Sequence, residues 1–530
     1  MNEITSLENE VELLLTRAIN STANYPALEN FHHLLKQCQD RLKQPMRIAI
    51  VGVIKAGKST LMNALLGDKV VATGSVEATF NINWLRYGNQ PSLKVHFKDQ
   101  YQRPPETKSI EELTALTLRA KENSQYFLSI KYIEVFYPQE MLKIFNIIDT
   151  PGLKSFYEED SKNTQEFLQL CGDELTQVTQ EQAAQADAVL YLFSQAIGLQ
   201  DAQTVEAFQG PLVNNATPIN AIGALTKVDM YASDPNITDP MAEGEKNSQR
   251  LMQNTQVNRL FYTIYPICGL LAEGAQTLTA KHWDILLKLK QQLPEKKFRS
   301  ISRYYGKFTG DYNSEEVPIS KKDREEIINQ LGLYGISLAY DLISSGVNTL
   351  EQLQEELMKK TGIPELRHLI LSHFGHRAFL IKLGTVLGQI TTAYFQERQR
   401  LKGTQLQILE EIAGQFDTLQ AQEQAFQELN VLRSYYEKKL DFDEQEEKQL
   451  LQITGENGNS CGERLGMEQG EQATVTEMLL VAEERMRYWT QRANDYMAGD
   501  RATLAAAKVL ARSYERILYR VQKAKDNLYI

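Results

Sequence analysis

The sequence predicts an α/β domain, with a mostly parallel sheet and helices on both faces, followed by an extended α-helical bundle that forms a stalk. Short apolar runs alternate with helical stretches from Met46 to about Ile267, and this alternation is typical of a parallel sheet covered on both faces. From about His282 onward the strand signal fades, and apolar residues recur at the three-and-four spacing of helices.

The N-terminal residues predict helix. Apolar residues recur at helical spacing from about Ser6 to Gln44, and Tyr25-Pro26 interrupts the stripe once. We therefore expect one or two helices over residues 1–44, packed on the base of the stalk.

Apolar runs of strand length follow. The predicted strands are Met46–Val51, Leu93–Phe97, Ile130–Tyr137, Ile144–Ile148, Ala188–Phe193, Ile219–Leu225 and, less strongly patterned, Tyr262–Ile267. Helices are predicted at Thr60–Leu66 and Thr164–Ala184. We expect the α/β domain to cover residues 45–300, with a helical extension over residues 301–375.

The stalk is predicted to be a helical hairpin over residues 376–530. Leu406–Ile453 predicts one helix of about 50 residues, which would be about 75 Å long. A polar loop follows at Thr454–Gly466, and two further helical segments of similar total length complete the chain. We expect the chain to run out along the first helix and return along the last two.

The composition excludes several classes of protein. The net charge is −11, so an acidic surface disfavours nucleic acid, and we expect no nucleic-acid partner. Four cysteines lie far apart, which suits a reducing cytoplasm and disfavours a zinc site. Residues 1–10 do not resemble a signal peptide, and Ala378–Phe395 carries too many polar residues for a membrane span.

A glycine-rich turn between the first strand and the first helix carries the strongest motif. It consists of Gly52, Val53, Ile54, Lys55, Ala56, Gly57, Lys58 and Ser59, and Thr60 follows. In this context the backbone N–H groups face a phosphate, the lysine reaches the β- and γ-phosphates, and the serine hydroxyl binds Mg²⁺. The motif predicts a binding site for a nucleoside triphosphate.

A second motif, Asp149-Thr150-Pro151-Gly152, follows the predicted strand Ile144–Ile148. A carboxylate at this point can hold the Mg²⁺ shell, and the Gly152 N–H can meet the γ-phosphate. Taken alone the four residues also fit a plain type I turn, but their position about 90 residues after the glycine-rich turn favours the phosphate role.

The third motif, Thr226-Lys227-Val228-Asp229, predicts selectivity for guanine. The Asp229 carboxylate can accept hydrogen bonds from guanine N1–H and the 2-amino group, and adenine offers neither donor there. The stem of Lys227 can lie over the base. The order and spacing of all three motifs support this interpretation over a solvated charge pair.

Two weaker features complete the predicted site. Thr79, in the polar segment Val71–Thr79, is our candidate for a mobile threonine that binds Mg²⁺ and positions the attacking water, and Thr73 is the alternative. Cys268-Gly269 follows a strand-like run and would offer backbone N–H groups to the guanine O6.

With these motifs in place, the sequence resembles bacterial dynamin-like proteins. The resemblance rests on VGVIKAGKSTLMNALLG, VFYPQEMLKIFNIIDTPGL, ALTKVD and TGIPELRHLILSHFGHRAFLIKL, and it is close from about Met46 to Leu383. It implies an α/β P-loop GTPase domain with an extended α-helical bundle stalk. It also implies GTP hydrolysis to GDP with Mg²⁺, dimerisation across the nucleotide, stimulation by assembly and a membrane-binding stalk tip.

The sequence departs from the family inside the glycine-rich turn. Ile54-Lys55 stands where eukaryotic dynamins carry Gln-Ser, and Ile54 cannot orient a water molecule. Lys55 resembles, by position, the internal arginine finger of guanylate-binding proteins. It is predicted either to neutralise developing charge on dimerisation or to be an exposed lysine on the rim of the loop.

The predicted stalk tip is the second departure, because Asp441–Glu447 and the polar loop after it are acidic and hydrophilic. Anionic lipid repels such an end. Two uses therefore compete: a self-assembling membrane remodeller, and a nucleotide-gated switch that binds a protein partner or a second dynamin-like chain. A GTP-binding scaffold without turnover is a third. We expect a cytoplasmic protein, peripheral at the inner face of a membrane if it meets one.

The working hypothesis assigns Lys58, Ser59, Thr79, Asp149 and Gly152 to the phosphates and metal. Turnover should be slow until the domains pair, because catalysis here is mainly positioning and charge neutralisation. The stalk would move at a hinge near Phe374–Gly388, where three glycines weaken the helix.

Overall fold

A computed structural model describes residues 3–52, 56–71, 83–98, 103–113, 116, 126, 129–149, 186–193, 218–234, 236–312, 316–436, 439–467, 473–495 and 499–528. The chain divides into two compact units. The helical unit consists of Met1–Met46, Pro211–Asn220 and Ile370–Ile530, and the α/β unit consists of Arg47–Gly210 and Ala221–Leu369.

Nine strands are described in the α/β unit, and they form one sheet of order β4-β3-β5-β2-β6-β1-β7-β8-β9. The strands are β1 Met46–Gly52, β2 Asn83–Tyr87, β3 Ser92–Phe97, β4 Glu106–Lys108, β5 Ile130–Tyr137, β6 Phe145–Asp149, β7 Ala188–Phe193, β8 Ala221–Leu225 and β9 Ile264–Pro266. All seven strand predictions therefore correspond to strands, within two residues at their ends.

One half of the sheet is parallel. β1 pairs with β7, β7 with β8 and β8 with β9, each in parallel register. Every residue of β7 and β8 is buried, as expected for strands covered on both faces. The carboxyl ends of these strands lie at one edge of the sheet, where the glycine-rich turn and the Thr226–Asp229 motif begin.

The other half of the sheet is mixed. β2 runs parallel to β5 and antiparallel to β6, and β3 is antiparallel to both β4 and β5. β2 and β4 were not predicted. The β2 sequence NWLRY carries polar residues at both ends, and β4 has only three residues.

Helices surround this sheet within the α/β unit. They are α3 Lys58–Leu66, α4 Met141–Ile144, α5 Pro240–Met252, α6 Thr255–Asn258, α7 Gly269–Gln276, α8 Ala280–Gln292, α9 Glu295–Ile301, α10 Tyr305–Phe308, α11 Lys321–Ser344, α12 Leu350–Met358 and α13 Ile363–Leu369. Gly274 brings α7 against α11, since a Cβ at Gly274 would lie 2.1 Å from the Gln330 carbonyl oxygen. The α/β fold and the helical C-terminal region are thus confirmed.

The helical unit contains α1 Glu3–Thr22, α2 Glu29–Lys43, α14 Ala378–Arg398, α15 Thr404–Gln422, α16 Gln424–Tyr436, α17 Glu444–Ile453, α18 Cys461–Arg464, α19 Val475–Asn494 and α20 Arg501–Leu528, with a π-helix at Ile370–Gly375. The break predicted at Tyr25-Pro26 is present, because Pro26 begins a short 3₁₀ helix between α1 and α2. α1, α2, α14 and α15 pack around one apolar core.

Among the described residues, α14 alone is long and apolar enough to meet the length and hydropathy of a membrane span. Length and composition are the only support for such a role. Its Leu383, Val386 and Ile390 are buried in the core shared with α1, α2 and α15. The ammonium group of Lys382 donates hydrogen bonds to the carbonyl oxygens of Leu42 and Gln44, each over 2.8 Å. Within this structure α14 is a packed core helix.

The prediction of one helix over Leu406–Ile453 is wrong. Glu423 adopts an extended backbone conformation between α15 and α16, and residues 439–443 are not helical before α17. The hairpin instead forms from the last two helices, where Arg485 of α19 donates to the Tyr514 hydroxyl of α20 over 3.5 Å.

The loop at Thr454–Gly466 was predicted at the far end of the helical hairpin, and this is also wrong. The loop contains the short helix α18. Arg377, at the start of α14, donates from Nε to the Thr454 carbonyl oxygen over 3.0 Å. Asn459 donates to the His376 carbonyl oxygen over 2.9 Å. The loop therefore packs beside the beginning of α14 and does not form a free tip.

Candidate functional site

The turn from β1 to α3 is shaped by its two glycines. Gly57 has φ 92°, a left-handed conformation that favours glycine, and it directly precedes α3. A Cβ at Gly52 would lie 2.6 Å from the Leu192 carbonyl oxygen, so the last residue of β1 must be glycine for β7 to approach. Both glycines of the motif are thus required by the backbone.

Lys58 and Ser59 open α3 at the positive end of its dipole. The Lys58 ammonium group lies 3.4 Å from the Gly52 carbonyl oxygen, so its side chain folds back over the turn. Ser59 is buried at the same helix start. Backbone N–H groups and a cation that converge on one turn make an anion-binding site.

Asp149 ends β6, the neighbour of β1 in the sheet. Its carboxyl group is buried, and Asn83 of β2 donates to Oδ2 over 3.5 Å. Sequence reasoning missed Asn83 because β2 was not predicted. A carboxylate and a serine hydroxyl are oxygen ligands of the kind that Mg²⁺ prefers, so Asp149 and Ser59 fit that ion.

Thr226 connects the end of β8 to the glycine-rich turn. Its hydroxyl group donates to the Ala56 carbonyl oxygen over 2.7 Å, and its backbone N–H donates to the Phe193 carbonyl oxygen over 2.8 Å. Lys227 follows with φ 59°, the one positive φ found outside glycine in the described part of the chain. This uncommon conformation turns the chain into the 3₁₀ helix that carries Asp229.

Asp229 and Cys268 lie side by side. Burial raises the pKa of the Asp229 carboxyl group, and a hydrogen bond from the Cys268 thiol opposes that increase. Burial and the neighbouring Asp229 charge raise the pKa of the Cys268 thiol well above its usual value. Cys268 therefore stays a protonated thiol beside the carboxyl group of Asp229.

Gly269 begins α7 against the start of α3. A Cβ at Gly269 would lie 3.4 Å from Cγ2 of Thr60. The base motif and the phosphate motif, more than 150 residues apart in sequence, thus meet at two points: Thr226 with Ala56, and Gly269 with Thr60.

Several predicted residues lie outside the described part of the chain. They are Val53, Ile54 and Lys55 of the glycine-rich turn, both candidate threonines Thr73 and Thr79, and Gly152.

Asn63 of α3 is a residue that sequence reasoning missed. Its side chain is buried, its Oδ1 accepts from the backbone N–H groups of Val70 and Val71, and its Nδ2 donates to the Val71 carbonyl oxygen. Asn63 therefore fixes the chain just before the segment that carries Thr73 and Thr79. A buried asparagine in an otherwise apolar helix was the available signal.

Comparison with known proteins agrees with this geometry. Residues 48–215 match the family model described as "Dynamin family". The chain is 25% identical over 482 residues to the isoniazid-induced protein IniC of Mycobacterium tuberculosis, covering 90% of this chain and 91% of that protein. It is 34% identical over 142 residues to dynamin-like protein 2 of Campylobacter jejuni, covering 27% of this chain and 22% of that protein.

A solved structure, described as an oligomerised bacterial dynamin pair, covers 97% of this chain and 91% of its own, with 14% identity and a TM-score of 0.33. At that TM-score the structural similarity carries no argument about the family of this chain. The family match, which covers residues 48–215 and includes the phosphate motif, carries the assignment of that region. Residues 48–215 therefore carry a dynamin-family GTPase domain, and the chain is similar to bacterial dynamin-like proteins.

Proposed function

We propose that this chain binds GTP and Mg²⁺ at the carboxyl ends of β1, β6 and β8 and hydrolyses GTP to GDP and phosphate. The observation that carries the proposal is the 2.7 Å hydrogen bond from Thr226 to Ala56, which joins the base motif to the phosphate turn. One ligand that needs both motifs at once is a guanine nucleotide.

On the phosphate side, Lys58 neutralises charge on the β- and γ-phosphates, and backbone N–H groups of the turn that ends at Gly57 cradle them. Ser59 and Asp149 are the proposed Mg²⁺ ligands. Held by these two residues, Mg²⁺ would supply positive charge that offsets the negative charge developing on the phosphates. Thr79 and Gly152 remain our candidates for positioning the water and sensing the γ-phosphate.

On the base side, the Asp229 carboxylate accepts hydrogen bonds from guanine N1–H and the 2-amino group. The Cys268 thiol lies beside this carboxylate and lowers its pKa against the effect of burial, which supports the charged form that the base would need. The Gly269 N–H, at the start of α7, is proposed to donate to guanine O6. Lys227 is proposed to cover the face of the base.

Calorimetry on nucleotide-stripped protein tests this assignment with GDP, GTP, ADP and ATP, each with Mg²⁺. The expected result is a guanine preference of at least about 10³-fold, because an adenine nucleotide would leave a buried carboxylate unpaired. Equal affinity for guanine and adenine nucleotides would end the proposal.

We further propose that pairing of GTPase domains stimulates turnover, as the family resemblance implies, through self-association or with a second dynamin-like chain. Lys55 is the candidate internal finger. The test is specific GTPase activity across protein concentration for the wild type, Lys55→Ala and Lys246→Ala. Lys246 is an exposed lysine on α5 and serves as the control.

Activity should rise with concentration in the wild type and in Lys246→Ala. If Lys55 acts as a finger, Lys55→Ala should lose that rise while GDP affinity stays the same. A full rise in Lys55→Ala would show that Lys55 is an ordinary exposed lysine. A flat wild-type profile would favour a GTP-binding scaffold or a switch over an assembly-stimulated enzyme.

We propose residues 45–300 as the GTPase domain, residues 301–375 as its helical extension, residues 376–530 as the stalk, and residues 1–44 as helices on the stalk base. The packing of α1 and α2 with α14 and α15 supports the last assignment. Nucleotide state would then move the stalk at a hinge near Phe374–Gly388.

We propose, from the family resemblance, that this movement serves membrane remodelling. The protein would then be cytoplasmic and peripheral at the membrane. The alternative is a nucleotide-gated switch that binds a protein partner. The net charge of −11 and the exposed Asp441, Asp443 and Glu444 favour the alternative, since anionic lipid repels them. Sedimentation with anionic liposomes, with GTP and with GDP, separates the two: a lipid-bound fraction in either state supports remodelling.

A further inference from the structure

Residues 361–367 of the α/β unit touch both halves of the proposed nucleotide site from behind. They comprise a tight turn, Thr361-Gly362, and the first five residues of α13. Thr361, Gly362, Ile363 and Leu366 are all buried, so this short segment is held firmly in the domain. We call residues 361–367 the clasp.

The first end of the clasp contacts Cys268-Gly269, the connection between β9 and α7, which we call the base loop. The Cys268 N–H donates to the Thr361 carbonyl oxygen over 2.8 Å. The Cys268 thiol neighbours the Asp229 carboxyl group, so one residue is bonded to the clasp through its backbone and lies beside the base motif with its side chain.

Gly362 allows this close approach. It has φ 73°, and a Cβ there would lie 2.4 Å from the carbonyl oxygen of Pro266, the last residue of β9. Only glycine permits both that backbone conformation and that contact. The strand that leads into the base loop is therefore in direct contact with the clasp.

The second end of the clasp contacts α3, the helix that follows the phosphate turn, which we call the phosphate helix. The Arg367 guanidinium donates from Nη2 to the carbonyl oxygens of Ala64 and Leu65, over 3.3 and 3.0 Å. These carbonyls belong to the last turn of α3, the negative end of its dipole, where a cation is stabilising. Arg367 is half-buried, so its guanidinium is partly shielded from water.

The contacts close a ring. The start of α3 meets the base loop at Thr60 and Gly269, the end of α3 meets Arg367, and the other end of the clasp meets Cys268. In such a ring the position of α3 and the position of the base loop are not independent, because one rigid turn of helix fixes the distance between them.

We infer that the clasp is a positioning element that sets the spacing between the phosphate helix and the base loop, with Arg367 as its key positioning residue. This inference rests on the proposed guanine-nucleotide site. Arg367 is not proposed to contact phosphate or base. Its loss should nevertheless change the position of Asp229 relative to the base, through Thr361 and Cys268.

The experiment compares GDP with inosine diphosphate, which lacks the 2-amino group that Asp229 is proposed to recognise. Binding to the full chain is measured by calorimetry for the wild type, Arg367→Gln, Arg367→Lys and Arg250→Gln. Arg250 is an exposed arginine on α5 of the same unit and is the matched control. Melting of the nucleotide-free proteins is followed in parallel.

Arg367→Gln should weaken GDP binding about tenfold and inosine diphosphate binding clearly less, so that the preference for the 2-amino group shrinks. Arg367→Lys retains the charge but not the fork, and it should fall between wild type and Arg367→Gln. Arg250→Gln should match the wild type. If Arg367→Gln does not fold, Arg367→Lys alone decides by the same ratio.

Equal weakening of both nucleotides in the Arg367 variants would reduce Arg367 to a local support of α3 and overturn the clasp, as would no weakening. A wild type without preference for GDP over ADP would instead refute the proposed function, so the two failures are distinguishable.

Discussion

The hydroxyl group of Thr226 donates a hydrogen bond to the backbone carbonyl oxygen of Ala56 over 2.7 Å, and both residues are buried. Thr226 directly follows β8, the strand that leads to Asp229, whereas Ala56 lies in the phosphate turn between Gly52 and Gly57. The two segments belong to non-adjacent strands, because β7 lies between β1 and β8. The threonine thus fixes the proposed base-binding segment relative to the proposed phosphate-binding turn at a point where no strand pairing does so.

Thr226→Val should weaken GDP binding because it removes this donor and leaves a buried carbonyl oxygen with less compensation. A lost buried hydrogen bond of this kind costs about 1–3 kcal/mol, which is about five- to 150-fold in the GDP dissociation constant if the cost falls on the bound state. Calorimetry measures the change. Thr226→Ser keeps the hydroxyl and should bind GDP within about threefold of wild type. A valine variant with wild-type affinity would remove Thr226 from the site.

Asp229→Asn should change the preferred base. An asparagine side chain offers one donor and one acceptor where the carboxylate offers two acceptors. Guanine presents two donors there, whereas xanthine presents N1–H and a 2-oxo acceptor, so xanthosine nucleotides should become the better ligands. The shift expected is at least about 10²-fold in the ratio of dissociation constants for XDP and GDP.

Competition between labelled GDP and XDP measures that ratio. Cys268→Ser, which keeps a small polar side chain beside the carboxylate, is the control and should keep the guanine preference. An Asp229→Asn variant that loses all nucleotides equally would point to a structural role for the carboxylate instead.

The parts of the fold that could be predicted from sequence are those whose pattern is decided locally. β7 was predicted to the residue, because burial on both faces requires a continuous apolar run. β5 was also predicted to the residue, although it is only partly buried and contains Lys131 and Glu134. The phosphate turn and the Thr226–Asp229 motif could also be read from residue types, since the backbone and the ligand dictate them.

The parts that could not be predicted depend on which distant segment becomes a neighbour. The helical stripe before Glu423 and after it looks continuous apart from one skipped apolar position, and that skipped position is where α15 ends and α16 begins. Glu446 belongs to an acidic segment that suggests solvent, yet it is buried with Arg492 of α19, Oε1 to Nε 2.7 Å apart. In neither segment does the local sequence indicate which distant residues will pack against it.

His373 should make the helical unit sensitive to acid. Its Nδ1 accepts from Arg377 over 3.0 Å, so Nε2 carries the proton and donates to the Pro218 carbonyl oxygen over 2.9 Å. Burial and the Arg377 charge lower the pKa of His373 well below its usual value. Below about pH 6.5 the unfolded state therefore binds a proton that the native state does not, and stability falls by about 1.4 kcal/mol for each pH unit.

Urea unfolding of the full chain from pH 7 to pH 4.5 measures this slope. His373→Gln keeps one donor and one acceptor without a titrating ring, so its unfolding free energy should fall less steeply with acid. His33→Gln changes an exposed histidine on α2 and should retain the wild-type slope. Identical slopes in all three proteins would assign the acid response to other groups.

Gly384→Ala should stabilise α14 and test the proposed hinge in one variant. Gly384 is exposed and lies within the continuous helix Ala378–Arg398, and a Cβ at this position would have nothing within 4 Å, so alanine fits without strain. Alanine in place of a mid-helix glycine stabilises by about 0.5–1 kcal/mol. Gly414→Ala is the matched control, because Gly414 is equally exposed and open within α15. Urea unfolding should show similar stabilisation of both variants. If α14 bends at Gly384 during the GTPase cycle, only Gly384→Ala should lower the GTP turnover reached at high protein concentration; equal turnover in both variants would place the hinge elsewhere.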